Sequence, residues 1–512
     1  MAFRTPITPR KGKGLRPPDG TLSQDLQVNL DVLKSIFDRC SDVVFREFVF
    51  AQNDDIRLAL VYTDGLVDKG QVSDQIMKAL ALEVAMATST EKLSKAGALE
   101  FIKRRGLCIH QVRETQELGE VVHAVLSGDT VLLVDGHARA IINGVKGWEA
   151  RTISDPEAEP TVRGSRESFV ETLRTNTALL RRRLRSPKLK IETMRLGSVS
   201  NTDVAVAYID GLASESLVAE VKRRLQTIKA DAVLESGYIE ELIEDHPWSV
   251  FPTVNHTEKP DRVCAMLLEG RVAIMVDGTP FVLTVPNLFV EYLQASEDYY
   301  ERFIFASAVR FIRLLSMVIS LVLPSLYIAV VSFHHELLPT TLLLSIAAQR
   351  EAVPFPVLAE VLVMELSFEI LREAGIRLPR PVGQAVSIVG ALVIGEAAVR
   401  AGLVASATVI VVALTGIGSF VVVYSASIAF RLLRFALMVL AATLGIFGVA
   451  CGLAVIAIHM CTLESFGVPY LAPVVPLKAP DLEDVIFRAP WWAMFRRPRN
   501  VIARQTRDRV VQ

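Results

Sequence analysis

Residues 314–333 read LLSMVISLVLPSLYIAVVSF and contain no charged side chain over 20 positions. An apolar run of about 20 residues is long enough to cross the hydrocarbon layer of a membrane as a helix. Two later runs, 403–430 and 435–463, are also long enough and are uncharged apart from His459. Residues 382–399 form a fourth, weaker candidate. These four segments predict an integral membrane protein.

The composition supports this prediction and excludes several classes of protein. The chain has 512 residues, of which 51% are hydrophobic and 22% charged, and its mean hydropathy is +0.37. A formal net charge of -1 gives no overall field that would favour nucleic acid as a partner. The five cysteines show no CxxC motif and no paired spacing, which argues against a disulfide scaffold or a zinc ribbon.

The first 300 residues contain an internal repeat. The segment LVYTDGLVDKGQVSDQIMKAL (60–80) resembles AVAYIDGLASESLVAEVKRRL (205–225), and each predicts a strand, an Asp-Gly-Leu turn and a helix. The segment 126–145 resembles 268–286, and each predicts a β-hairpin around Val-Asp-Gly, because Asp-Gly supplies the positive φ of such turns. The repeat predicts two tandem α/β subdomains.

The predicted fold class is therefore α/β plus membrane α: tandem cytoplasmic α/β subdomains, then an α-helical transmembrane domain of about four spans. The chain start is basic and rich in Pro and Gly, without the apolar core of a secretory signal. The predicted layout is a disordered basic tail (1–26), a first subdomain (27–150), a helical linker (151–195), a second subdomain (196–300), a transmembrane domain (301–475) and a basic cytoplasmic tail (476–512).

The subdomains carry no pattern typical of an enzyme. Asp64, Asp135, Asp210 and Asp277 each precede a glycine after an apolar strand, so we interpret them as turn residues and not as a catalytic carboxylate set. The chain has no GxxxxGK[ST] and no GxSxG motif. We therefore predict no enzymatic activity, no cofactor and no metal site.

Residues 337–381 are harder to place. LAEVLVMELSFEILREAG (358–375) is amphipathic, and Glu365, Glu369 and Glu373 share one helical face. We interpret 337–381 as an interfacial or re-entrant helix pair with an acidic stripe. The alternative is that these glutamates are buried and face a cavity.

Charge asymmetry predicts the topology. Residues 488–512 hold seven arginines and one aspartate, so this end should lie in the cytoplasm, as should the arginines before the first span. Two cytoplasmic ends require an even number of spans, which favours four. Arg431 and Arg434 conflict with this arrangement, because it leaves them on the outer side. Five spans would remove that conflict but would misplace the C-terminus.

One face of the 382–399 helix is mostly small, whereas the opposite face is bulky. Small residues allow close helix packing, but a narrow pore wall supplied by several subunits would have the same pattern. The candidate pore-lining residues are Gln384, Ser387, Ile388, Ala391 and Gly395, and the gate-adjacent residues are Val389, Glu396 and Arg400.

Long blocks of the sequence resemble the A subunits of the GerA-type spore germination receptors of endospore-forming bacteria. Among them are RTNTALLRRRLRSPKLKIETMRLGSVSNTDVAVAYIDG (174–211), MELSFEILREAGIRLPRPVGQAVSIVGALVIGEAAV (364–399) and SFGVPYLAP (465–473). The blocks occur in the family's order and cover roughly residues 27–475.

The resemblance implies a multi-pass protein of the inner spore membrane, acting with a permease-like B subunit and a lipoprotein C subunit. It also implies a homo-oligomer, a pentamer, that conducts monovalent cations once a nutrient is sensed. The family's pore-forming region corresponds to QAVSIVGALVIG (384–395). A non-conducting scaffold subunit, and the amplifying channel of the stage V sporulation AF type, are the alternatives.

Overall fold

In the computed structural model the described residues are 20–50, 53–83, 99–102, 111–147, 159, 161, 163–378, 390, 395–421 and 424–494. The chain divides into two compact units. The first comprises Met1–Glu244, Val254–Pro286 and Trp491–Gln512, and the second comprises Asp245–Thr253 and Asn287–Pro490. The predicted division into a mixed α/β part and a helical part is thus present. The short segment Asp245–Thr253, which precedes the end of the α/β part in the chain, belongs to the helical unit.

The first unit contains two repeats of one topology. The first repeat consists of α1 (Leu26–Ile36), β1 (Val43–Phe50), β2 (Asn53–Thr63), the π-type helix α2 (Gln71–Glu83), β3 (Val112–Thr115), α3 (Leu118–Leu126), β4 (Thr130–Val134) and β5 (Ala140–Asn143). The second consists of α4 (Leu173–Arg183), β6 (Leu189–Leu196), β7 (Thr202–Ile209), α5 (Glu215–Thr227), α6 (Ser236–Ile243), β8 (Asn255–Thr257), α7 (Pro260–Leu268), β9 (Val272–Val276) and β10 (Val282–Val285). The strand orders β1-β2-β4-β5-β3 and β6-β7-β9-β10-β8 correspond, and every strand pairing is antiparallel.

Each sheet is buried on both faces. Alternate residues of a strand point to opposite faces, so Ala59 and Val61 pack in one apolar cluster with Leu30 of α1. The intervening residues Leu58 and Leu60 pack in a second cluster with α2. Burial of both faces explains why the central strands read as continuous apolar runs and not as alternating ones.

The Asp-Gly hairpins are confirmed, and they also cap helices. Gly136 and Gly278 have φ of 85° and 93°, the left-handed values that glycine adopts readily. Asp135 Oδ1 accepts a hydrogen bond from the backbone N–H of Leu26, and Asp277 Oδ1 accepts one from Leu173. The two aspartates therefore hold the equivalent helices α1 and α4 in equivalent places.

This equivalence corrects the predicted linker. We expected a helical linker over 151–195, but α4 is the first helix of the second repeat, as α1 is of the first. Asn29 of α1 bonds both backbone groups of Ser23, and Asn176 of α4 bonds Val170 in the same way. The second repeat thus begins well before residue 196.

A buried ion pair joins the two repeats. The Arg181 guanidinium donates two hydrogen bonds of 2.9 Å to Asp42, and both side chains are almost wholly buried. Burial alone would lower the pKa of Arg181, but the Asp42 carboxylate outweighs burial and raises this pKa, so the guanidinium stays charged. Arg181 thus belongs to the interior of the first unit.

The second unit is helical. Its helices are α8 (Phe303–Phe333), α9 (Thr340–Arg350), α10 (Val357–Arg377), α11 (Ser406–Val421) and α12 (Tyr424–Thr462), and short strands β11 (Glu464–Ser465) and β12 (Val468–Pro469) follow. Among the described residues two helical segments, not four, are long and apolar enough to cross a membrane: Phe303–Phe333 and Ser427–Thr462.

The prediction of four spans is therefore wrong for the described residues. The predicted span 403–430 is divided between the shorter helix α11 and the start of α12. Most of the predicted span 382–399 lies outside the described residues. The predicted span 435–463 is part of α12, which also takes in Arg431 and Arg434.

Helix α12 reverses direction at Gly445, whose φ of 60° and ψ of -143° are not helical. A Cβ on Gly448 would lie 2.2 Å from the backbone oxygen of Leu440, and one on Gly452 would lie 2.4 Å from the Leu437 side chain. Residues eight apart in a continuous helix are about 12 Å apart. The legs 424–444 and 446–462 therefore form a tight antiparallel hairpin.

The segment after the hairpin returns to the start of α8. Asp298 and Asp484 both bond the fully buried Arg310 of α8, and Arg310 Nη1 lies 2.7 Å from Asp484 Oδ1. Residues up to Pro490 thus belong to the helical unit. This corrects the predicted tail, which we expected to begin at residue 476; residues 495–512 lie outside the described residues.

We expect Asp42→Asn to destabilise the first unit by about 3 kcal/mol, because it leaves the buried Arg181 without a counter-charge. The measurement is thermal unfolding of the detergent-solubilised full chain. Asp203→Asn is the control, because its ion pair with Arg195 is exposed and should contribute at most about 1 kcal/mol. Equal effects of the two substitutions would contradict this role of Arg181.

We expect Gly445→Ala to lower the melting temperature of the solubilised chain, because its backbone conformation costs a non-glycine residue about 1–3 kcal/mol. Its Cβ would also lie 2.7 Å from the His334 ring. In Gly395→Ala the new Cβ would meet nothing closer than 3.6 Å, so this variant should match the parent. A stable Gly445→Ala protein would contradict the hairpin turn.

Candidate functional site

Within the candidate pore segment 384–395 the structure describes Gly390 and Gly395. The candidate residues Gln384, Ser387, Ile388, Val389 and Ala391 lie outside the described residues, whereas Gly395, Glu396 and Arg400 lie within them. Glu396 and Arg400 form the ion pair expected from their i,i+4 spacing, on an exposed surface. The pore-lining and gating roles of these residues stay predictions.

The three glutamates of α10 do not share one environment. Glu365 is fully buried and Glu369 is 15% exposed, whereas Glu373 is 57% exposed and pairs with Arg377 one turn further on. The three therefore do not form one exposed stripe, as the interfacial interpretation expected. For Glu365 and Glu369, the structure favours the alternative of buried carboxylates.

The buried glutamates meet arginines from α10 and from the first leg of α12. Arg434 Nη2 lies 3.0 Å from a Glu369 oxygen and 3.1 Å from a Glu365 oxygen. Arg431 bonds Glu369 through Nε and Nη2, and Arg372 lies 3.6 Å from the same carboxylate. We call Glu365, Glu369, Arg372, Arg431 and Arg434 the charge cluster. With all five ionised it carries one net positive charge.

Helix periodicity explains how the charge cluster assembles. Glu365, Glu369 and Arg372 are spaced i, i+4, i+7 on α10, so they lie on one face of that helix. Arg431 and Arg434 are spaced i, i+3 and point together from α12. The same two arginines conflicted with the four-span topology. The conflict disappears because they lie inside a helix, opposite two carboxylates.

The sequence contains a pattern that identifies Arg431 and Arg434 as partners of buried carboxylates. Two arginines three positions apart in an otherwise apolar stretch need partners of opposite charge. The two glutamates one turn apart on α10 have the matching spacing. The place of Arg372 in the charge cluster was harder to predict, because aromatic rings also surround it. Its guanidinium lies 4.3 Å from the Phe420 ring centroid and 5.3 Å from that of Phe368.

The hydrogen bonding of the charge cluster is incomplete. Neither carboxylate oxygen of the buried Glu365 has a hydrogen-bond partner, nor do Arg434 Nε and Arg372 Nε. By contrast, the equally buried Glu360 of α10 accepts bonds from the Ala405 backbone, Thr408 and Arg350. A buried polar group without a partner is costly, so the charge cluster is a weaker joint than the one around Glu360.

The charge cluster can hold α10 against the hairpin and can favour one relative position of the two. Separation of these helices would leave charges unpaired among apolar side chains, at a cost of several kcal/mol. Its incomplete hydrogen bonding lowers the cost of leaving this arrangement. Such a joint suits a helix pair that moves between two positions.

Among the described residues, no His, Cys, Asp or Glu group has the arrangement of a metal site.

We expect Glu369→Gln to destabilise the helical unit, because three arginines would then share only Glu365 as a counter-charge. The measurement is the melting temperature of the solubilised full chain. Glu373→Gln, one turn away on the exposed surface, is the matched control and should leave the melting temperature unchanged. If Glu373→Gln had the larger effect, the charge cluster would not be the joint that we describe.

The sequence matches the family model described as Bacillus/Clostridium GerA spore germination protein over residues 31–500. Spore germination protein KA of Bacillus subtilis (strain 168) is 45% identical over 94% of this chain and 87% of its own length. The uncharacterized membrane protein YfkQ of the same organism is 45% identical over 94% of this chain and 92% of its own length. Spore germination protein GerLA of Bacillus cereus is 39% identical, with 95% and 98% covered.

Among solved structures, the N-terminal domain of the A subunit of the Bacillus megaterium spore germinant receptor GerK3 matches with 34% identity and a TM-score of 0.42. The match covers 53% of this chain and 98% of that domain. The family model spans both units of the structure, and the relatives match along nearly their whole length. The chain therefore belongs to the Bacillus/Clostridium GerA family of spore germination proteins.

Proposed function

We propose that this chain is the A subunit of a nutrient-gated spore germination receptor and forms an oligomeric channel for monovalent cations. In this proposal it lies in the inner spore membrane, with both ends in the cytoplasm, beside a permease-like subunit and a lipoprotein subunit. Nutrient sensing opens the channel, and the loss of cations commits the spore to germination. The family match over nearly the whole chain carries the germination role.

Two observations support conduction in particular. Among the described residues, Phe303–Phe333 and Ser427–Thr462 have the length and hydropathy of membrane-spanning segments, the second of them as a hairpin that turns at Gly445. The segment 384–395 has one face of small and weakly polar residues, which a ring of subunits can bring together as a narrow pore. Ile388 and Ala391 would close such a pore by excluding water, and a pentamer is the oligomer that the family resemblance implies.

The charge cluster fits this proposal as the joint that holds the closed state. Its helix α10 leads directly into the pore segment, since only 378–383 separate the two. Leu371 lies next to Gly390, where an added Cβ would meet its side chain at 2.4 Å. A shift of α10 against the hairpin would thus reach Gly390, inside the proposed pore segment. Nutrient binding must favour the shifted state by differential contact energy.

A non-conducting scaffold subunit is the second candidate. The first unit favours it, because two complete α/β repeats offer a large surface for assembly with other subunits. In this case the chain would transmit the nutrient signal, and the cations would leave through another protein. An amplifying channel of the stage V sporulation AF type is a variant of the first proposal.

We expect spores with Ile388→Ala to lose potassium without nutrient, because a smaller side chain at the gate admits water. Leu392→Ala, on the bulky face of the same segment, is the matched control and should retain potassium. An in-frame deletion should slow potassium release after a nutrient mixture is added. The measurement is potassium in the medium of purified spores over time.

The outcomes separate the two proposals. Leakage from Ile388→Ala and retention by Leu392→Ala support a conducting pore. Slow potassium release from the deletion strain, together with no leakage from Ile388→Ala spores, favours the scaffold. If the deletion leaves release unchanged in a strain without other receptors of this family, both proposals fail.

A further inference from the structure

Trp248 is the most exposed large apolar side chain of the described residues, with 99% of its surface accessible. It lies in the segment 245–253, which interrupts the first unit and belongs to the helical one. A tryptophan wholly in water forfeits the large free energy that burial of its ring would supply. Its position therefore calls for a partner that takes up the ring.

The segment around Trp248 is fixed to the end of the hairpin. Ser249 Oγ lies 3.0 Å from Nε2 of His459, in the last turn of α12. The Asp245 carboxylate accepts a hydrogen bond from the Phe466 backbone, just beyond that helix. Phe251 packs against the rings of Phe430 and Tyr470. These contacts hold Trp248 at the level where α12 ends.

The exposed surface of the helix changes character at this level. Before it, the outer face of the second leg of α12 is apolar, with Val455 and Ile458 each about two-thirds exposed. In the last turn and just after the helix, the exposed residues include the polar His459, Thr462 and Glu464. Tryptophan is enriched where an apolar layer meets water, because its ring is apolar and its indole N–H is a donor.

We infer that Trp248 inserts into the headgroup region of the membrane and anchors the 245–253 segment there. The partner is a phospholipid bilayer, because the apolar outer face of α12 continues up to the level of the indole. The inference requires the helical unit to lie in a membrane, as the proposed function does. It does not require the chain to conduct ions or to bind a nutrient.

The test uses the full chain with Trp248 as its sole tryptophan, the other three being replaced by phenylalanine. The protein is reconstituted into phosphatidylcholine vesicles brominated either near the headgroup or deep in the acyl chains. We expect loss of Trp248 fluorescence mainly with shallow bromines. In the matched control, Trp248 is also phenylalanine and Val455→Trp is the sole tryptophan, about 10 Å from the end of the helix at Thr462. It should lose fluorescence mainly with deep bromines.

Quenching of the Val455→Trp protein but not of Trp248 overturns the inference while leaving the membrane location intact. In that case a blue-shifted Trp248 emission would indicate a protein partner, and an emission typical of water would indicate no partner. If neither protein is quenched, the helical unit does not face lipid. That result would overturn both the inference and the membrane location in the proposed function.

Discussion

A guanidinium group is costly to bury unless a carboxylate neutralises it, and three such groups hold this fold together. Arg181, Arg310 and Arg434 are all fully buried. Their carboxylate partners are distant in sequence: Asp42 for the joint between the repeats, Asp298 and Asp484 for the start of α8, and Glu365 and Glu369 for the packing of α10 on the hairpin. Apolar contacts tolerate shifts of register, whereas a buried charge is stable only beside its partner. The ion pairs therefore determine which elements meet.

The repeat was predictable because its signals are local. An Asp-Gly dipeptide between two apolar runs specifies a hairpin through backbone geometry alone, and Asp135 and Asp277 both lie in such turns. The boundary between the repeats was not predictable in this way, since the position of α4 depends on the tertiary hydrogen bond that the Leu173 backbone N–H donates to Asp277. The predicted number of spans was wrong because hydropathy measures length and apolarity but does not detect where one helix ends and the next begins. The apolar run 403–430 is divided between α11 and α12.

The candidate site was predictable only in part. The shared face of Glu365, Glu369 and Glu373 follows from helical periodicity, and the sequence kept open the possibility that they are buried. Which of them are buried depends on a second helix some sixty residues away in the chain, because Arg431 and Arg434 face the first two and not the third. Matching the charges of one apolar segment with those of another would indicate which glutamates are buried. Counting the charges of each loop separately cannot do so.

Residues 245–253 belong to the helical unit, and this affects work with the isolated N-terminal half. The Asn287 side chain bonds the Pro252 backbone, and Ser465 bonds that of Thr253, so the segment is bonded to two later parts of the chain. A fragment that ended at Pro286 would carry this segment without those partners, and it would leave Phe251 in water. The solubility and crystal contacts of such a fragment would then partly reflect a loop that has lost its packing partners. A version with 245–253 shortened to a polar turn would represent the two repeats more faithfully.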